Sequence, residues 1–136
     1  MFCDRVGRAF ALGLALRVAC LENVWAQEDF PFEREMLLDA RPMKGSKRLP
    51  GLEVQPGGAA VIDLWCNSLQ ARVAVNGDAI TITAGEKTDR QCAPERAQAD
   101  SELMDVLAQV SQWQWDGEDA VILIGTKRLR FRLLTN

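Results

Sequence analysis

Apolar and polar residues alternate along much of this chain, and the period changes once. Leu52-Glu53-Val54-Gln55 alternates as a half-buried strand does, and Pro56-Gly57-Gly58 turns it. Ala60 to Cys66 reads as a second strand, with Ala60, Ile62, Leu64 and Cys66 on one face and Val61, Asp63 and Trp65 on the other. Arg72–Val75 and Asp78–Thr83 flank Asn76-Gly77, which predicts a β-hairpin with a type I′ turn in which both residues take positive φ. The period then lengthens. Ala99, Leu103, Val106, Leu107 and Val110 form one apolar stripe on a helix from about Pro94 to Val110, with Arg96, Asp100 and Gln109 opposite. Pro94 suits a first helical position, and Glu95 suits the positive end of the helix dipole.

Period two returns after the helix. Gln112–Trp115 places Trp113 and Trp115 on one face, Ala120–Ile124 is a short apolar run, and Arg128–Leu133 alternates strictly. Its Leu129, Phe131 and Leu133 point inward, and Arg128, Arg130 and Arg132 point outward. Upstream, Glu35–Asp39 fits a first strand or a helical turn. Arg41–Pro50 and Gly85–Gln91 read as loops. Strands, a hairpin, one helix and a three-strand meander predict an α+β domain: a curled, mostly antiparallel sheet or partial β-barrel with one main helix.

The N-terminus changes the picture of compartment. Arg5 and Arg8 precede an Ala/Leu-rich run over residues 9–19, and Val24-Trp25-Ala26 fits a small-x-small cleavage site before Gln27. Residues 1–26 are therefore expected to be a signal peptide and 27–136 the domain. The alternatives are an N-terminal helix of the fold and lipid attachment at Cys20. Removing 26 of 136 residues leaves 110, with Cys66 and Cys92 as the remaining cysteines. An exported chain with one pair of cysteines points to a Cys66–Cys92 disulfide and to a periplasmic or secreted protein. The full chain carries a net charge of -3, which argues against nucleic acid as the main partner.

Candidate chemistry is sparse. The chain has no histidine, so Ser-His and Cys-His nucleophile pairs are excluded, as is the commonest transition-metal ligand. Two cysteines without histidine make no closed zinc site, and no Cys-x-x-Cys is present. No catalytic residue, metal or cofactor is expected. Carboxylates are the remaining acid–base candidates: Asp63 beside Trp65, and Asp116 with Glu118 and Asp119 at a turn. Arg128, Arg130 and Arg132 form a cationic row that would face an acidic partner or anionic lipid, or be the solvated guard of an edge strand. Trp113 and Trp115 are either a recognition platform or core.

Several of these residues occur in a familiar order. Cys66-Asn67, a hairpin, Thr88 four residues before Cys92, then Ala93-Pro94 and a helix with Glu102 resemble the META domain, or HslJ-like, family. The resemblance spans roughly Leu37 to Leu134. It departs at Trp65, where the family usually has glycine, and in Glu86–Gln91, which replaces a threonine- and methionine-rich approach to the second cysteine. The resemblance implies a non-enzymatic bacterial envelope protein, related to stress or antibiotic tolerance, in which Cys66, Asn67, Thr88 and Cys92 are structural. A monomer binding an unknown protein or envelope component is expected. The alternative is a periplasmic inhibitor of a lysozyme or protease, a role that suits a rigid stapled β domain.

Overall fold

The computed structural model describes residues 29–135. The expected signal peptide, its cleavage after Ala26 and the alternative anchor at Cys20 lie outside the described residues. Eight strands and one helix follow in order: β1 (Met36–Leu38), β2 (Gly51–Val54), β3 (Ala59–Asp63), β4 (Ser68–Asn76), β5 (Ala79–Lys87), α1 (Pro94–Ala108), β6 (Gln112–Trp115), β7 (Ala120–Ile124) and β8 (Arg128–Leu133). Each strand pairs antiparallel with the next, and β8 pairs back onto β1 through Met36↔Leu133, Leu37↔Arg132 and Leu38↔Phe131. The expected partial barrel is thus a closed one.

Alternation explains the interior. An eight-stranded barrel is just wide enough for inward side chains to fill. Met36, Leu52, Val54, Ile62, Leu69, Ile80, Leu123 and Phe131 supply that filling from seven strands. The narrowest seam lies between β5 and β6, which share the single pair Ala79↔Gln112. Two further bonds flank it, Ile80 N–H to the Ser111 carbonyl at 3.1 Å and Trp113 N–H to the Asp78 carbonyl at 2.9 Å. Helix α1 is inserted in the chain at this seam and buries Leu103 and Leu107.

The structure corrects four expectations. β3 stops at Asp63, because Leu64 to Asn67 is the loop to β4, closed by the Leu64 N–H to the Asn67 carbonyl at 2.7 Å. β5 runs on to Lys87, so the first part of the predicted Gly85–Gln91 loop is strand. The hairpin turn sits one residue later than expected. Asn76 pairs with Ala79, leaving Gly77 and Asp78 as the turn residues. Positive φ falls on Gly77 (62°) and not on Asp78, the pattern of a type II′ turn. Finally, β8 is no edge strand, since β7 and β1 occupy both its sides.

Gly125, between β7 and β8, touches the end of the helix. A Cβ there would collide with the Gln109 carbonyl oxygen and come within 2.9 Å of the Val110 nitrogen. Gly125→Ala should therefore destabilise the fold by about 1–3 kcal/mol. At Gly57 a Cβ meets nothing within 4 Å. Gly57→Ala should stay within about 0.5 kcal/mol of the parent. Urea midpoints of the two variants check this; equal midpoints would contradict the close approach.

Candidate functional site

The polar centre of the molecule is built on the β3–β4 loop. Cys66 in that loop is disulfide-bonded to Cys92, with Cα atoms 6.1 Å apart and 26 positions between them in sequence. Cys92 lies two residues before α1, so the cross-link ties the loop to the start of the helix.

Six residues into the helix, Asp100 is 1% exposed and faces the same loop. Its Oδ1 accepts the Cys66 N–H at 3.0 Å, and its Oδ2 accepts the Asn67 N–H at 2.9 Å. The Asn67 side-chain amide adds a third donor to Oδ2 at 3.3 Å and also lies 3.3 Å from the Cys92 sulfur. Asn67, itself 4% exposed, uses its Oδ1 on the opposite side. That oxygen accepts the Thr88 hydroxyl at 2.9 Å and the Arg90 N–H at 2.8 Å. Thr88 Oγ1 in turn accepts the Ser68 N–H at 3.0 Å. The network leaves no buried side-chain nitrogen or oxygen without a partner among the described residues.

Sequence reasoning placed Asp100 on the solvent face of the helix, and this is a correction. Asp100, Leu103 and Leu107 are the buried residues of α1, at spacings of three and four. The spacing alone was only a hint, because an acid in step with two core leucines is buried only where donors meet it. Those donors are loop amides far away in sequence. Glu102, which the resemblance singled out on the helix, is exposed and accepts Gln98 at 3.3 Å. Trp65 takes an ordinary negative φ and packs half-buried against the core, so its position has no need of glycine.

Chemically the arrangement is a clamp. Cys66, Cys92 and Asp100 bring three ligand-type atoms within 4.8 Å of one another. The two sulfurs are bonded together, however, and a disulfide offers no thiolate to a metal. The Asp100 oxygens are engaged by the loop.

The remaining candidates lie elsewhere. Trp113 is buried at 6%, donates its ring N–H to the Gly77 carbonyl at 2.7 Å and meets Phe30 edge-on at 5.1 Å. It is a core residue and not a platform. Trp115 packs half-buried beside it, 6.3 Å away. Arg130 bridges Asp116 at 2.7 Å and Asp39 at 2.9 Å, and Arg132 reaches Asp39 at 3.6 Å. Hydrogen bonds to Asp116 and then to Asp39 hold the Arg130 guanidinium above its ordinary pKa. Arg128 is exposed. Asp63 pairs with Arg48 at 3.4 Å and accepts the Ser68 hydroxyl at 2.7 Å, whereas Asp116 serves Arg130. The two carboxylates therefore belong to separate ion pairs and form no acid–base couple. Glu118 and Asp119 are exposed in the turn.

Two predictions follow from the clamp. Asp100→Ala strands two backbone amides and should cost about 3 kcal/mol in urea denaturation, with Asp100→Asn milder. A loss under about 0.5 kcal/mol would show that the loop satisfies itself. Replacing both cysteines by serine should remove roughly 3–4 kcal/mol, the loop-closure contribution of a cross-link this long. The cost of Asp100→Ala should then change in the double-serine background, because both constraints act on the same loop.

Comparison with known proteins agrees with this architecture. The META domain family matches residues 32–135. No curated protein sequence matches the chain. Among solved structures, a protein from Burkholderia xenovorans is 16% identical with a TM-score of 0.62, covering 77% of this chain and 84% of that one. A DUF4847 family protein from Bacteroides vulgatus ATCC 8482 is 12% identical with a TM-score of 0.50, over 61% of this chain and 57% of its own. The chain thus spans less than two thirds of that protein, and at such identities the likeness concerns the fold. With the family matched over the whole barrel and its helix, the chain belongs to the META domain family.

Proposed function

We propose that this protein is an exported envelope domain that acts by binding rather than by catalysis, in a stress-related setting. The observation that carries the reading is the Cys66–Cys92 disulfide, seated at the centre of a fully partnered polar network. Such a cross-link persists in oxidising compartments and is rare in the cytosol. The leader-like N-terminus agrees with that placement. So does the family, whose members resemble bacterial envelope proteins linked to heat or antibiotic stress. Among the described residues, no helix is long and apolar enough to cross a membrane.

Cell fractionation with intact-mass measurement tests this. The expected product is an extracytoplasmic chain beginning at Gln27, or lipid-modified at Cys20, with a two-hydrogen mass deficit. A full-length cytosolic protein with free thiols would overturn the proposal. Crosslinked capture from heat-stressed cells should return an envelope component. If the captured protein is a lysozyme or protease that this chain inhibits, the partner is an enzyme and the binding mode is inhibition. Turnover of a substrate from a broad hydrolase panel would contradict the non-catalytic reading.

A further inference from the structure

A groove of about 400 Å³ runs along the outer wall of the barrel, on the stem of the β4–β5 hairpin. Its size falls within the range of small-molecule sites, about 300–1,000 Å³. The register sets its floor. Arg72 lies opposite Thr83 and Ala74 opposite Thr81, and all four are exposed, on the reverse of buried Val73 and Ile82. Arg72, Ala74, Thr81 and Thr83 all line the groove. The β2–β3 turn forms a wall through Pro56, held against β4 by the Val73 N–H to the Gly58 carbonyl at 2.7 Å. Phe32 adds an aromatic wall, steadied by Phe30 at 5.1 Å.

Charge suits this groove to an anion. Arg72, like several other surface arginines, has no ion pair among the described residues, and it is the arginine that lines the groove. No carboxylate lines the groove. A guanidinium presents a planar fork of donors that suits a carboxylate or phosphate head, and the adjacent hydroxyls add further donors. Phe32 and Pro56 offer apolar surface next to that fork. We propose that the groove binds a small organic anion with a short apolar tail: the head on Arg72 and Thr83, the tail against Phe32 and Pro56. The site deepens the binding reading, and the two fail separately. Ligand titration is indifferent to compartment, and fractionation is indifferent to the groove.

The test is amide-resolved NMR titration of the purified, disulfide-bonded protein with hexanoate, hexyl phosphate, inorganic phosphate and hexylammonium. For ligands of this size the expected Kd is about 1 mM. Saturable shifts confined to β4, β5 and the 56–58 turn should appear with hexanoate or hexyl phosphate, and the tighter of the two identifies the head group. Arg72→Gln should weaken the preferred anion at least about tenfold and Thr83→Val about threefold, with the spectrum otherwise unchanged. Equal binding of hexylammonium, or of inorganic phosphate, would overturn the proposal. So would unchanged affinity in Arg72→Gln, or no saturable shift up to about 10 mM of either alkyl anion.

Discussion

The Asp100 carboxylate is the point through which the helix and the barrel share one structure. Two consecutive backbone amides and a side-chain amide converge on it from the β3–β4 loop. A buried carboxylate is tolerated when it is this well supplied with donors, and the loop amides are tolerated because the carboxylate accepts them. The disulfide closes over the same loop, and the segment between Cys66 and Cys92 contains the whole β4–β5 hairpin. Clamp and cross-link thus constrain one region twice, once by polar chemistry and once by a covalent bond. The β5–β6 seam, a single pair at the far end of β5 from this clamp, is where the barrel has fewest strand-to-strand bonds of its own.

Closure at the opposite seam has a different basis. β1 is three residues long and still joins β2 to β8. Its hold on β8 continues past its end, where the Asp39 N–H reaches the Arg130 carbonyl at 2.7 Å and the Asp39 carboxylate meets Arg130 and Arg132. These ion pairs are part-exposed, so each contributes little by itself. Their consequence is geometric: they keep Arg130 and Arg132 over the junction. Because the barrel is closed, β8 has no free ladder of N–H and C=O groups for another chain to extend.

The binding interpretation follows from how side chains are distributed between these tasks. Asn67, Thr88, Cys66 and Cys92 are consumed by the clamp, Trp113 by the core, and Arg130 with Arg132 by closure. Arg72 stands outside all three, on the outer wall beside a groove. A rigid barrel with a preformed recess loses little conformational freedom when a ligand settles.

Strand and helix positions were legible in the sequence because periodicity reports which face of an element is buried; the alternation of β8 does so plainly, whereas the stripe of α1 located the helix but left Asp100 on the wrong face. The disulfide was legible because Cys66 and Cys92 are the two cysteines that lie beyond the leader-like segment. The family was legible in the order of Cys66, Asn67, Thr88 and Cys92. Other features depended on contacts between distant residues. Full closure rests on pairing between Met36–Leu38 and Phe131–Leu133, about a hundred residues apart, and no local pattern encodes that register. Asp100 looked like a solvent-facing acid because the donors that justify its burial belong to a loop 33 and 34 positions earlier. Sequence by itself determined the order and approximate place of most elements and, with the leader-like segment set aside, the covalent staple, since these follow from local period and residue type. Only the tertiary structure decided which polar groups meet, because hydrogen-bond partners are chosen by proximity in the folded chain and not by spacing along it.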